Sequence, residues 1–325
     1  MRETLLQVEG LTVAAVSGGR RLPIVRDVSF SVDQGETLAI VGESGSGKSM
    51  TMLAVMGLLG PGLAVVTGRV MFDGEDLAIV SEQRLREVRG AEMAMVYQDP
   101  MTSLNPLMRI GDQVAEAMTA HGVVRSEARR RSRAALARVG IPDPERTARS
   151  YPHEFSGGMR QRAMIATALV MEPKLLIADE PTTALDVTIQ QQILALVRGL
   201  QRGTDMATIW ITHDLGVVAR LVDRVLVMYA GRIIEDAPVR DLFRAPQHPY
   251  TAALLASLPH LTDSQRAPLA QIGGSPPEPG AVPEGCAYRP RCPYAISRCE
   301  VDPPLLARGH GQAACWVPPD QWSIA

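Results

Sequence analysis

Gly42-Glu43-Ser44-Gly45-Ser46-Gly47-Lys48-Ser49 sets small residues, one lysine and one hydroxyl at the spacing of a phosphate-binding loop. Glycines let successive backbone N–H groups curl around phosphate oxygens, while the lysine reaches the β- and γ-phosphates and the serine hydroxyl meets Mg²⁺. Gly42, Ser44, Gly45, Ser46, Gly47, Lys48 and Ser49, with Thr51 just beyond, are therefore the expected nucleotide-phosphate residues. Far along the chain, Phe155-Ser156-Gly157-Gly158-Met159-Arg160-Gln161-Arg162 adds a Ser-Gly-Gly turn that opens a helix. That is a second phosphate-seeking N-terminus in a domain that already has a cradle. Asp179 and Glu180 then close an apolar run, at the strand end where an α/β sheet binds ligands. Strand alternation turns neighbouring side chains to opposite sides, so Asp179 is expected in the Mg²⁺ shell and Glu180 beside an attacking water.

These residues need strands and helices to hold them. Thr37-Leu38-Ala39-Ile40-Val41 is a fully apolar strand running into the loop, and Gly47-Lys48-Ser49 opens a helix through Leu53 and Met56. Upstream, residues 5–13 and 24–40 read as short strands of an antiparallel edge layer, with Glu9-Gly10 as a turn. From about 101 to 168 the pattern is helical, with Ser126 as N-cap and Gly140 as C′ residue around an arginine-rich segment. This predicts an inserted helical subdomain. Within it, Arg129-Arg130-Arg131-Ser132-Arg133 reads as a solvated helix face, with anionic headgroups or an acidic partner as the sharper alternative. Lys174–Asp179 and Ala207–Thr212 are further buried strands around an amphipathic helix at Ile189, Ile193, Leu194 and Val197, and Arg224–Tyr229 is another strand. The alternation predicts an α/β fold with a largely parallel sheet and helices on both faces.

Composition narrows the class. The 325 residues exceed the ~100–200 of one ordinary domain, so one large α/β domain (1–260) and a smaller extension (261–325) are expected. With 33 basic and 35 acidic residues the chain is no polybasic binder, and nucleic acid is not an expected partner. The start lacks the apolar stretch of a secretory signal, and the longest apolar run, Met50 to Val66, is broken by Gly57, Gly60, Pro61 and Gly62. It falls short of the ~20 residues of a membrane-spanning helix, so the chain is expected in the cytosol, acting on a membrane only through partners. No internal repeat is found.

A chain carrying both the phosphate loop and the Ser-Gly-Gly helix resembles the ABC ATPases. The resemblance covers roughly residues 5–260, because loop, Gln98, Ser-Gly-Gly, Asp179-Glu180, Leu185-Asp186 and His213 occur in order. It implies a P-loop NTPase domain of ABC type, with ATP and Mg²⁺ as cofactors and Mg²⁺ held through Ser49, Gln98 and Asp179. Gln98 would also reach the water, Glu180 would act as base and His213 as its organiser. Read without the family, Gln98 is a polar strand end and His213 a satisfied strand-end histidine. In the family geometry Ser156, Gly157 and Gly158 act in trans, on the nucleotide of a partner in a head-to-tail dimer. Two departures stand out. Met159 replaces the common glutamine, and Leu11-Thr12-Val13-Ala14-Ala15 has no aromatic where the family stacks the adenine.

Cys286, Cys292, Cys299 and Cys315 all fall in the last forty residues, at C-x5-C-x6-C-x15-C. Structural zinc sites usually begin with a close C-x2–4-C pair, absent here, and four thiolates also hold iron–sulfur clusters, so spacing leaves both open. Prolines 276, 277, 279, 283, 290 and 293 mark this tail as loop-rich. Gln247-His248-Pro249-Tyr250-Thr251 with Leu254-Leu255, then Arg289-Pro290-Arg291-Cys292-Pro293, resembles the ATP-binding subunits of dipeptide, oligopeptide and nickel importers. That resemblance implies a [4Fe–4S] cluster on the four cysteines, with Zn²⁺ as the alternative. It also implies a second ATPase subunit, a paralogue or a copy, two permease subunits and an extracytoplasmic solute-binding protein. The chain would sit peripherally on the cytoplasmic face of the inner membrane and power uptake of peptides, with nickel or another small solute as the alternative cargo. The competing class, a soluble ABC ATPase of DNA repair or translation, predicts a long coiled coil or a second phosphate loop, and neither is present.

Overall fold

The computed structural model describes residues 3–181, 187–201, 203–258 and 272–322. Leu185-Asp186 therefore lies outside the described residues. In chain order the elements are β1 (Thr4–Ser17), β2 (Arg20–Asp33), β3 (Thr37–Val41), α1 (Lys48–Val55), β4 (Leu63–Phe72) and β5 (Glu75–Asp76). Then follow α2 (Glu82–Ala91), β6 (Met93–Val96), α3 (Pro100–Ser103), α4 (Ile110–Thr119), α5 (Arg125–Arg138), α6 (Pro144–Thr147) and α7 (Gly157–Leu169). The remainder is β7 (Leu175–Asp179), α8 (Val187–Gln201), β8 (Ala207–Ile211), α9 (Leu215–Leu221), β9 (Arg224–Tyr229), β10 (Arg232–Pro238), α10 (Val239–Arg244), α11 (Pro249–Ala256), β11 (Leu306–Arg308) and β12 (Gly311–Ala313). Among the described residues no helix is long and apolar enough to cross a membrane.

The chain divides into two compact units. One comprises residues 6–32, 37–78 and 211–325. Its antiparallel layer runs in the order β2-β1-β4-β5. β1 is one long strand where the sequence predicts two around a Glu9-Gly10 turn. Gly10 takes φ +58° and the β1–β4 register shifts between Glu9 and Thr12, so the dipeptide makes a bulge that re-aims the strand without reversing it. In its other sheet β9 pairs in parallel with β3, Leu38 opposite Arg224 through Val41 opposite Val227. On its other side β9 pairs antiparallel with β10, whose outer edge is taken by the β11–β12 hairpin of the cysteine-bearing tail. The expected largely parallel sheet is thus mixed. All five residues of β3 are buried, which is what an apolar strand covered on both faces requires.

The other unit comprises residues 1–5, 33–36 and 79–210. Its strands run β8-β7-β6, with β6 and β7 parallel from Met93 opposite Leu175 to Val96 opposite Ala178. Helices α3 to α7 fall in the stretch from about 101 to 168 that reads as helical in the sequence. Gly140, φ +75°, follows the last turn of α5 as a C′ residue should, but Ser126 is not the N-cap. Val124 holds that place with extended backbone and no side-chain bond, so the helix starts earlier than residue type suggests. The arginine run lies on α5 as a largely solvated face: Arg130 reaches Glu127 (2.6 Å), Arg133 reaches Glu145 (2.8 Å), and Arg131 donates to the Val170 carbonyl (2.9 Å).

Candidate functional site

The phosphate loop leaves β3 at Val41 and turns at Gly42, where φ is +150°. A Cβ there would stand 2.2 Å from the Met228 carbonyl oxygen of β9, so only glycine fits. Gly47, φ +101°, is the left-handed residue from which α1 starts. Between them the lysine curls into its own loop. Lys48 Nζ donates to the carbonyls of Gly42 (2.8 Å) and Glu43 (3.0 Å) and lies 3.4 Å from Ser46 Oγ, with only 6% of the residue exposed. Ser44 and Gly45, at the loop tip, are exposed. Thr51 is fully buried and its hydroxyl donates to the Gly47 carbonyl (2.9 Å), so it braces the first turn of α1. Gly231 N–H donates to the Ser46 carbonyl (3.0 Å), tying the β9–β10 turn to the loop.

Glu43 meets residues from the far end of the chain. Its N–H donates to Tyr250 Oη (2.9 Å), and its carboxylate receives a two-pronged Arg291 guanidinium at 2.7 and 3.0 Å. Tyr229, Tyr250 and Tyr288 pack ring to ring beneath this pair, with centroids 4.7 to 5.4 Å apart. Burial pushes the Tyr288 phenol up to about 12 and raises that of Tyr250 further, so both stay neutral donors or acceptors. The hydrogen bonds to Glu43 raise Arg291 above the ordinary guanidinium range. Tyr250 and Arg291 lie in the two motifs that mark the resemblance, yet sequence reasoning assigned neither a role. The only signal was their presence beside His248 and Cys292.

In the same unit His213 is exposed just after β8, and Asp214 caps α9 by accepting from Gly216 N (2.9 Å) and Val217 N (3.2 Å). Below α11, Glu235 is buried and accepts from the N–H groups of Gln247 (2.7 Å) and His248 (3.0 Å). His248 Nδ1 in turn caps α11 by accepting from Tyr250 N (3.0 Å). Burial lifts the Glu235 carboxyl to about 7 and depresses His248 to about 3.

The other unit carries the acidic pair and the Ser-Gly-Gly turn. Asp179 ends β7 and is buried. Glu180 does not continue the strand alternation expected of it: its φ is +44°, a left-handed bend that turns the carboxylate by backbone conformation instead. There it accepts a hydrogen bond from Gln98 Nε2 (3.1 Å), so two residues chosen separately from the sequence touch. Ser156 is the N-cap of α7, its Oγ accepting from Met159 N (3.3 Å), and Ser156 and Gly157 are exposed. Gly158 is less open: a Cβ would come 3.1 Å from Ile189 Cγ2 of α8.

The four cysteines are free thiols in the tail. Burial pushes Cys286 up to about 11, and the neighbouring Cys299, Cys315 and Cys292 add to it. Cys292 is also lifted to about 11 by burial, with Cys315 and Cys299 adding. Among the described residues, however, no group of three or more His, Cys, Asp or Glu side chains is set to hold a metal ion.

An ABC transporter family model matches residues 25–183, and the chain is 25% identical to the ATP-binding cassette MJ0796, solved as a dimer bound to ADP and Pi. That likeness has a TM-score of 0.65 and covers 73% of this chain and 99% of the other. The chain belongs to the ABC transporter ATP-binding proteins and is an ATP-hydrolysing subunit of that family. Within it the position is narrower. A second model, described as oligopeptide/dipeptide transporter, C-terminal region, matches residues 234–299. The dipeptide transport ATP-binding protein DppD of Bacillus subtilis is 50% identical over 319 residues, covering 97% of this chain and 95% of its own. The oligopeptide transport ATP-binding protein OppD of Salmonella typhimurium is 48% identical, covering 98% and 95%.

Proposed function

We propose that this chain is the ATPase subunit of a peptide importer, working peripherally on the cytoplasmic face of the inner membrane. The observation that carries the ATPase reading is the loop that buries Lys48 against the Gly42 and Glu43 carbonyls at the start of α1. The peptide cargo is supported by the names of the dipeptide and oligopeptide relatives. Residues 1–260 form the ATPase domain in this reading and 261–325 an extension of it. The partners are a second ATPase subunit, two permeases and an extracytoplasmic solute-binding protein.

Phosphoryl transfer to water needs positioning and charge neutralisation more than covalent chemistry. Lys48 and the loop N–H groups hold the β- and γ-phosphates. Ser49, Gln98 and Asp179 would hold Mg²⁺, which supplies charge neutralisation at those phosphates when bound. Glu180 accepts the proton of the attacking water, Gln98 keeps its carboxylate aimed, and His213 orients the water. Ser156, Gly157 and Gly158, exposed or nearly so at the start of α7, serve the partner subunit's nucleotide. In the assembled transporter Glu180→Gln leaves ATP binding intact and lowers turnover by about 10²–10⁴, the usual worth of a general base. Turnover within twofold of the unmodified transporter removes Glu180 from this role.

The cysteines have a second reading, a [4Fe–4S] cluster with a structural role. What supports it is four cysteines in one short tail segment, Cys299 buried and the other three half-buried, with burial raising the thiols of Cys286, Cys292 and Cys315, so that thiolates there require a cationic group.

A further inference from the structure

We infer that Arg291 is a positioning residue for ATP binding: it neutralises the Glu43 carboxylate inside the phosphate loop, so nucleotide affinity depends on the cysteine-bearing extension. A loop that binds a triphosphate gains from N–H groups and positive charge, and a carboxylate at its second position opposes both. Glu43 is that carboxylate, with a side chain 25% exposed at the loop. Arg291 answers it with two parallel hydrogen bonds, Nη1 to Oε2 at 2.7 Å and Nη2 to Oε1 at 3.0 Å, the forked geometry only a guanidinium offers.

Arg291 is held for this task. Its side chain is 5% exposed, its Nε donates to the Gly273 carbonyl (2.8 Å) and its Nη1 to Tyr229 Oη (3.2 Å). Its backbone N–H donates to Tyr288 O (2.9 Å) in the short turn that leads directly into Cys292. A change in the fold around the cysteines therefore moves the guanidinium, and with it the net charge that an incoming triphosphate meets. Glu43 N–H is already tied to Tyr250, so the side-chain pair decides the electrostatics at this point of the loop.

The inference rests on the reading that residues 42–49 bind the nucleotide phosphates. The test is equilibrium binding of ATP, ADP and AMP to the full chain, competed against a fluorescent ATP analogue. Arg291→Met weakens ATP about ten- to a hundredfold, ADP less and AMP least, since repulsion grows with phosphate charge. Glu43→Gln has the opposite sign and tightens ATP relative to AMP. The double substitution returns ATP to within about threefold of the unmodified chain, a rescue that a merely structural arginine would not give. Equal loss for all three nucleotides, or no rescue in the double, overturns the inference. If Arg291→Met does not fold, an unchanged ATP-to-AMP ratio in Glu43→Gln overturns it as well. Lys48→Ala, measured alongside, separates the two levels. Full affinity in Lys48→Ala defeats the phosphate-loop reading itself, whereas lost affinity there with unchanged affinity in Arg291→Met defeats only this inference.

Discussion

Replacing Glu235 with glutamine changes how stability depends on pH, and the burial of its carboxyl, which outweighs the hydrogen bonds from Gln247 and His248, fixes the sign. The folded-state Glu235 carboxyl titrates at about 7 against an ordinary 4.5. A raised pKa means that the folded state holds the proton more tightly, so its contribution is fully present below pH 4.5 and is lost as pH rises through 7. At about 1.4 kcal/mol per unit this amounts to about 3 kcal/mol over the interval. His248 works the other way. Its folded pKa of about 3, against 6.5, makes it lose stability as pH falls from 6.5 toward 3. Between pH 4.5 and 6.5 the two slopes oppose each other in the natural chain. Glu235→Gln removes one of them and leaves the histidine slope uncovered. Urea unfolding followed by tryptophan fluorescence at several pH values from 4.5 to 7.5 reads the difference directly. The deficit of the variant relative to the natural chain shrinks by about 3 kcal/mol between pH 4.5 and 7. Parallel stability curves would refute both the burial argument and the linkage drawn from it.

Two further outcomes follow from the site. Gly42→Ala drives a Cβ to 2.2 Å from the Met228 carbonyl at a backbone angle that costs of order 1–3 kcal/mol by itself, so the loop leaves β9. ATP affinity falls more than tenfold while the far-ultraviolet circular dichroism stays unchanged; retained affinity would show that the loop tolerates the shift. Protein purified without oxygen carries iron and acid-labile sulfide on the cysteines, and Cys286→Ser loses both. Colourless, iron-free and zinc-loaded protein would sink the cluster reading.

What the sequence revealed was whatever a local pattern encodes. The apolar run Thr37–Val41 followed by glycines gives a buried strand and a loop with no room for side chains, and Ser156 before two glycines gives an N-cap. Gln98 and Glu180 could be paired only by role, and their hydrogen bond is the outcome. The misses share a cause: they depend on backbone conformations or partners that no local period reports. Gly10 makes a bulge instead of a turn because β4 continues to pair on both sides of it. Glu180 leaves strand alternation through a positive φ that its residue type does not announce. Arg291 and Glu43 stand at opposite ends of the chain and meet only because the tail folds back onto the unit that holds the phosphate loop.

That folding back bears on what the tail is for. A loop-rich segment with many prolines has little core of its own and gains order from what it packs against. Here β12 extends the sheet through β10, with Ala314 N donating to the Ile234 carbonyl (2.8 Å), and Tyr288 closes an aromatic cluster whose other members come from β9 and α11. The tail thus covers a sheet edge and two buried tyrosines of the nucleotide-binding unit. Unpaired β10 carbonyls and N–H groups would otherwise stand open to another strand. A group held by the four cysteines would stiffen a segment that already contacts Glu43, so its effect would be felt at the phosphate loop even if it takes no part in hydrolysis. On this reading the cysteine-bearing tail and the phosphate loop are joined through Arg291 and the tyrosine cluster, and a perturbation of the tail is expected to register at the loop.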